Sequence, residues 1–142
     1  MSRLDTRPGR GSFDSVSTVF PSVPPSVASA RRFVDAALRR WDVPTDVADV
    51  ALLLTSELVT NSYRHASADA QVSVLRRPGL IRVEVHDSGG GRVQRRALDP
   101  EGPDGRGLNI VDALASRWGS TTAESGTLVW FELATNGRYA AG

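Results

Sequence analysis

The chain has 142 residues, of which 40% are hydrophobic and 23% are charged, and its formal net charge is +1. This length and composition are those of one globular domain, and the near-neutral charge argues against a protein that binds nucleic acid directly. The absence of cysteine excludes disulfide scaffolds, zinc–thiolate sites and cysteine nucleophiles. No apolar run approaches the ~20 residues of a membrane helix, and the first residues lack the apolar core of a signal peptide, so we expect a soluble, cytoplasmic protein that contacts no membrane.

The beginning of the chain predicts a tail, an edge strand and a helix. Residues 1–12 contain three arginines and almost nothing to bury, which is typical of a disordered tail. Phe13–Phe20 alternates and is rich in β-branched residues, so it is predicted as a strand that the following prolines end. Ser26 can cap a helix that runs to about Trp41, because apolar residues recur there at helical spacing.

A second helix is predicted from near Pro44 to about Ser67, and one stripe of it changes from apolar to polar. On that stripe Glu57, Asn61 and His65 stand at positions i, i+4 and i+8 and share one side of the helix. A carboxylate beside a carboxamide in a partly apolar setting suits a hard-cation site or a general base. The alternative interpretation is a solvated polar helix end. The neighbouring stripe is mostly apolar and is predicted to pack on a sheet.

Two strands follow, Gln71–Arg77 and Leu80–Asp87, joined by a short turn. The second strand alternates and ends at Asp87, immediately before a serine and the triple glycine 89–91. Open α/β sheets place ligand contacts at such strand ends, and consecutive glycines let a planar ligand approach the backbone closely. The alternative is that Asp87 is a plain turn residue.

A loop, a short helix and a hairpin complete the chain. Arg92–Asp104 has weak periodicity, and a loop of this length is often a lid over a site. Gly105 and Gly107 precede a helix predicted from Leu108 to about Ser116, and unpaired N–H groups at such a helix start can bind an anion. The alternative is a flexible entry to an ordinary helix. The hairpin is predicted over Thr121–Glu124 and Thr127–Leu133.

The predicted order β-α-α-β-β-loop-α-β-β indicates an α+β fold. We expect a two-layer α/β sandwich, with a mixed, mostly antiparallel sheet and helices on one face. One domain is predicted over residues 13–135, between the tail 1–12 and a short polar tail at 136–142. The three tryptophans, Trp41, Trp118 and Trp130, are assigned to the core.

Four stretches of the sequence resemble the motifs of one ATP-binding family. In this order and at these separations they are similar to the motifs of the GHKL superfamily, whose fold is the Bergerat or histidine-kinase-like ATPase fold. Their wording is closest to the small anti-sigma-factor serine/threonine kinases of the RsbW type. The resemblance covers residues 26–133. The stretches are SELVTNSYRHA (56–66, like the N box), HDSGGG (86–91, like the first glycine box), GRGLNIVDALASRWG (105–119, like the second) and GTLVWFEL (126–133, like the closing strands).

The resemblance implies a site for ATP and Mg²⁺. It implies that Asn61 ligates Mg²⁺ at the ATP phosphates and that Glu57 is the general base for a substrate serine. It also implies that Asp87 accepts a hydrogen bond from the adenine amino group and that Thr127 supports the adenine side through its hydroxyl. The other implied contacts are Gly89 and Gly91 with the base, Gly105, Arg106, Gly107 and Leu108 with the phosphates through backbone N–H groups, and Arg64 and His65 at the phosphate mouth.

For function, the resemblance implies an anti-sigma-factor serine/threonine protein kinase. Such a protein sequesters a sigma factor, phosphorylates a small anti-anti-sigma (STAS-domain) partner and forms a homodimer. The rival from a different class is a nucleotide-responsive binding module with little or no kinase activity; Glu57 argues against it, since a pure binder does not need a base there. A third interpretation is a bare ATPase.

Two features set this sequence apart from relatives in the superfamily. The family often has a proline shortly after the first glycine box, whereas here Arg92, Val93 and Gln94 follow, and this difference concerns the lid more than adenine binding. A histidine kinase needs a separate helical region with the phosphoacceptor histidine. His65 and His86 both fall inside the ATP-binding core, which disfavours that subfamily.

Overall fold

The structure is a computed structural model that describes residues 14–65, 68–88 and 105–136. The predicted tail 1–12, the predicted lid Arg92–Asp104 and all of the predicted C-terminal tail except Asn136 lie outside these ranges.

Within these described ranges, eight elements follow one another in the predicted order. Two bounds differ from the sequence prediction by three residues or more, because the third helix begins at Gly105 and the fourth strand begins at Arg117. The strand extends this far back because Gly119 pairs with Trp130 and leaves room for its ring: a Cβ at Gly119 would lie 2.7 Å from Trp130 Cζ2. The elements are β1 (Asp14–Phe20), α1 (Pro25–Arg40), α2 (Thr45–His65), β2 (Ala70–Arg77), β3 (Leu80–Asp87), α3 (Gly105–Leu114), β4 (Arg117–Ala123) and β5 (Gly126–Ala134).

The strands form one sheet in the order β1-β2-β3-β5-β4. All four pairings among the described strands are antiparallel, so the sheet is purely antiparallel there instead of mixed. Strands β3 and β5 are neighbours although α3 and β4 separate them in the chain, and their register sets Asp87 opposite Thr127. The predicted two-layer α+β sandwich is confirmed, and β3 lies at its centre.

The hydrophobic core lies between the helices and one face of the sheet. The predicted alternation along β3 buries Ile81, Val83 and Val85 on this face. Helix α2 packs against α1, α3 and the three strands β2, β3 and β5. Each fully buried Val, Leu or Phe contributes roughly 1.5–3 kcal/mol, so this central helix is fixed firmly before it reaches its polar end.

The opposite face of the sheet carries a charged cluster. Arg82 donates to Glu84 at 2.7 Å and to Glu132 at 2.9 Å, and its guanidinium lies 4.0 Å from the ring centroid of Trp130. The core assignment of Trp130 is therefore wrong, because alternation along β5 sends Phe131 into the core and Trp130 to the other face. Trp41 and Trp118 do pack, partly buried, against the core.

None of the helices in the described ranges is long and apolar enough to cross a membrane.

Candidate nucleotide-binding site

Helix α2 carries the predicted catalytic and metal-binding side chains. It contains neither glycine nor proline, and Asp46 in its first turn suits the positive end of the helix dipole. Leu54 is fully buried, whereas Glu57 and Asn61 farther along are half-buried and Arg64 is exposed. The stripe therefore leaves the core as it approaches the C-terminus of the helix, and a carboxylate and a carboxamide lie one turn apart at the point of emergence.

Asp87 is the last residue of β3, and its side chain faces the helices. The residue is only 4% exposed, which differs from the usual exposure of a turn residue. Ser62 of α2 donates a hydrogen bond from Oγ to Asp87 Oδ2 at 3.0 Å. A buried carboxylate is costly unless it is hydrogen-bonded, so this bond both stabilises Asp87 and joins the end of β3 to the helix that carries Asn61.

Thr127 lies directly across the sheet from Asp87. The two residues are register partners in the β3–β5 ladder, and such partners have Cβ atoms about 4.5–5.5 Å apart. Thr127 is 2% exposed, and its Oγ1 has no hydrogen-bond partner among the described atoms. An unpaired buried hydroxyl costs about 1–3 kcal/mol, so this position fits a bound group that would supply a hydrogen bond.

Gly126 holds the tip of β5 tightly against the end of β3. Its φ is +129°, and a Cβ there would lie 1.8 Å from the carbonyl oxygen of Asp87. A side chain at this position would therefore displace the strand end. The sequence analysis assigned Gly126 no role in placing Asp87, whereas in the structure its close approach constrains the Asp87 backbone.

Tyr63 fixes the same end of α2 from the other side. Its hydroxyl donates to the carbonyl of Phe20, the last residue of β1, at 3.1 Å. Burial raises the pKa of the Tyr63 hydroxyl above its usual value, so the donor keeps its proton. With Ser62 bonded to Asp87, two consecutive side chains anchor the C-terminal turn of α2 at two strands.

The remaining predicted residues are only partly placed. Gly105 and Gly107 lie in the first turn of α3, where helical N–H groups have no partner within the helix. Leu108 is buried in the core. The backbone of His65 ends α2 and the backbone of Arg106 belongs to α3, while their side chains lie outside the described part of the chain. Gly89 and Gly91 also lie outside it.

Ser62 is a further site residue that the sequence analysis missed. It continues the buried spacing of Leu58, four residues earlier, so a polar side chain at a sheet-facing position was the available signal. The described residues contain no group of three or more acidic or histidine side chains arranged to hold a metal ion. A Mg²⁺ site of the expected kind needs only one or two protein ligands.

The sequence profile of the histidine kinase-like ATPase domain matches residues 20–133, most of the chain. The chain belongs to this family. Domains of the family bind ATP, typically with Mg²⁺, and the GHKL fold indicated by the motifs is confirmed. Membership of this family supports the general class of kinases and ATPases for this chain.

Solved structures with the same fold include domains from two kinds of regulator. The RsbU and RsbW domains of Rv1364c from Mycobacterium tuberculosis match with a TM-score of 0.67 and 16% identity, over 84% of this chain and 32% of that one. The histidine kinase domain of a blue-light activated histidine kinase from Erythrobacter litoralis matches with a TM-score of 0.59 and 23% identity, over 80% and 63%. A longer structure of that kinase matches with a TM-score of 0.60 and 26% identity, over 81% and 41%.

The chain thus spans less than two thirds of each of these structures, and as little as about a third of the first. A search of curated protein sequences gives no match to the chain.

Proposed function

We propose that the chain is an ATP- and Mg²⁺-dependent anti-sigma-factor serine/threonine kinase. In this proposal it sequesters a sigma factor and phosphorylates a serine or threonine of a STAS-domain anti-anti-sigma protein, and it acts as a homodimer. The observation that carries the kinase part is the placement of Glu57 one helical turn from Asn61, on a helix that Ser62 joins to the buried Asp87.

The residues present fit a nucleotide. Asp87 would accept a hydrogen bond from the amino group of adenine, and the unpaired hydroxyl of Thr127 would form a further hydrogen bond on the same side. The carboxamide oxygen of Asn61 would ligate Mg²⁺. Bound Mg²⁺ would supply positive charge against the phosphate oxygens. The glycines in the first turn of α3 would offer backbone N–H groups to the same phosphates.

Glu57 would act on the protein substrate. Its carboxylate would accept the proton of the substrate hydroxyl while that oxygen forms a bond to the γ-phosphorus and the bond from this phosphorus to the bridging oxygen of ADP breaks. The half-buried position of Glu57 allows a partner side chain to reach it from solvent. A module that only bound nucleotide would not need a base at this position.

The regulatory part of the proposal rests on the residues of the four motifs, which resemble those of anti-sigma-factor kinases. The M. tuberculosis match includes a domain named RsbW, and its 16% identity supports the fold alone. A phosphate on the partner adds roughly 1.5–2 negative charges, which is enough to disrupt a docked interface. Transfer of phosphate would then release the kinase to bind the sigma factor.

The test is phosphate transfer from labelled ATP to purified STAS-domain proteins. We expect acid-stable label on a serine or threonine with the wild type, and a loss of at least about 100-fold with Glu57→Gln. ATP affinity should be almost unchanged, because Glu57 serves the transfer and not the binding. Glu124→Gln, the same change at an exposed turn residue of the β4–β5 hairpin, is the matched control and should transfer normally.

Other outcomes would replace the proposal. Acid-labile label would indicate a histidine kinase instead. ATP binding without label on any partner would favour the nucleotide-responsive binding module, and phosphate release without a partner would favour a bare ATPase.

A further inference from the structure

We infer that Ser62 is a positioning residue that makes the site selective for the 6-amino group of adenine. The inference rests on the proposed function, because it concerns the carboxylate assigned there to adenine. Its basis is the hydrogen bond from Ser62 Oγ to Asp87 Oδ2, which is 3.0 Å long and links residues 25 positions apart. No sequence motif assigns this role to Ser62.

Thr55 and Ser56, two other hydroxyl side chains of α2, behave differently. Thr55 donates to the carbonyl of Ala51 at 2.8 Å, and Ser56 donates to the carbonyl of Leu52 at 3.1 Å. These bonds to the carbonyl four residues earlier are the ordinary solution for a serine or threonine inside a helix. Ser62 instead donates from the helix layer to the sheet, where Asp87 at the end of β3 accepts. Its hydroxyl therefore contacts the carboxylate that is assigned to adenine.

The direction of the bond defines the hydrogen-bonding character of Asp87. The Ser62 hydroxyl donates to Oδ2, so this oxygen accepts, and a carboxylate has about four lone-pair positions in total. A donor group of a ligand would share these positions with Ser62. The amino group at position 6 of adenine donates and matches it, whereas the 6-oxo group of hypoxanthine or guanine would set oxygen against oxygen.

The bond also selects one orientation of the carboxylate. The backbone of Asp87 is held by the ladder to β5 and by the close approach of Gly126. Rotation about the terminal bond of an aspartate is intrinsically broad. The fixed donor on α2 restricts this remaining freedom and favours one orientation of the carboxylate.

The experiment compares the affinities of ATP and inosine triphosphate, two nucleotides that differ at position 6, for wild type, Ser62→Ala and Ser56→Ala. Calorimetry in Mg²⁺ gives the affinities, and circular dichroism with thermal melting checks the fold. We expect wild type to prefer ATP. In Ser62→Ala the affinity for ATP should fall about tenfold, as for the loss of a hydrogen bond to a charged group, while that for inosine triphosphate changes less than about twofold. Ser56→Ala, the matched change on the same helix, should keep the wild-type preference.

Each contrary outcome is distinct. An equal fall for both nucleotides in Ser62→Ala would assign the serine a purely structural part and overturn the inference, and so would an unchanged preference. Binding of neither nucleotide by wild type would overturn the proposed function together with the inference. Normal ATP binding without any preference would overturn the inference and leave the kinase proposal standing.

Discussion

Two buried carboxylates in this domain have different surroundings. Glu132 on the open face of the sheet is 7% exposed, and its oxygens lie 2.9 Å from Arg82 and 3.6 Å from Arg117. Asp87 at the helix-facing end of β3 is 4% exposed and accepts from the hydroxyl of Ser62. Beside it lies the unpaired hydroxyl of Thr127. Glu132 is thus paired with two arginines, whereas the buried hydroxyl next to Asp87 has no hydrogen-bond partner among the described residues.

The comparison separates a structural role from a binding role. A buried charge with guanidinium partners stabilises the fold only while its partners are present, since removal of one partner leaves the other uncompensated. A buried hydroxyl without a hydrogen-bond partner, such as that of Thr127, lowers the stability of the free protein. Such a cost is understandable where a ligand supplies the missing bond.

The largest expected effect is a difference between two variants: Asp87→Asn should lose ATP affinity, whereas Glu132→Gln should lose stability. Asp87→Asn should lower ATP affinity at least about 100-fold, because an amide presents its donor as well as its acceptor to the adenine edge and the site is selected for an acceptor. Glu132→Gln should leave ATP affinity within about twofold and lower stability by about 1–3 kcal/mol, because Arg82 and Arg117 lose a charge partner.

Calorimetry and thermal melting on both variants measure these two effects. Equal loss of ATP binding in the two variants would contradict the division of roles between the carboxylates.

Gly126→Ala should affect both stability and binding. The positive φ and the approach of 1.8 Å between a Cβ and the Asp87 carbonyl oxygen leave no room for a methyl group. We expect a loss of at least about 2 kcal/mol of stability and weaker ATP binding, measured by melting with and without ATP. Gly79→Ala is the matched control, because Gly79 also has a positive φ, +76°, while a Cβ there meets nothing within 4 Å. If both variants bound ATP like wild type, Gly126 would have no part in positioning Asp87.

Thr127→Val should separate the free protein from the complex. The substitution keeps the shape and removes the unpaired hydroxyl, so the free protein should be as stable as wild type or more stable by up to about 1 kcal/mol. ATP affinity should fall about tenfold for the loss of one hydrogen bond. Chemical denaturation and ATP titration test the two halves. A destabilised free protein with unchanged ATP affinity would show that the hydroxyl serves the fold.

The smallest expected effect is that of Tyr63→Phe. The variant loses the hydrogen bond to the Phe20 carbonyl, which is worth about 1 kcal/mol, and keeps the ring. We expect a slightly lower melting temperature and ATP affinity within about threefold of wild type, because Ser62 still joins α2 to Asp87. A loss of ATP binding as large as that of Asp87→Asn would mean that the Tyr63 contact, and not Ser62, determines the position of α2.

The sequence predicted the parts of the fold that depend on periodicity. Alternation in β3 and the apolar stripe of α2 reflect which side chains meet the core, and the structure places Val83, Val85 and Leu58 there. The position of Asp87 at a strand end followed from the same pattern. Bounds set by strand pairing did not follow from periodicity: β4 begins at Arg117 because a glycine accommodates the Trp130 ring across the ladder.

The contacts that define the candidate site were harder to predict, because they join residues far apart in the chain. The Ser62–Asp87 hydrogen bond spans 25 positions, and the approach of Gly126 to Asp87 depends on the β3–β5 register. Alternation predicts that Trp130 and Phe131 face opposite sides of β5. It does not predict that the Arg82 guanidinium packs on the indole ring of Trp130 on the outer face. Sequence periodicity therefore predicts which side chains are buried, whereas the contacts of the site depend on how distant segments pair.

The most direct test of the nucleotide site is calorimetric titration of ATP into wild type and Asn61→Ala, with and without Mg²⁺. We predict micromolar binding that requires Mg²⁺ in the wild type and a loss of that Mg²⁺ dependence in Asn61→Ala. Absence of binding at millimolar ATP, or an identical Mg²⁺ dependence in the variant, would contradict the assignment of the site.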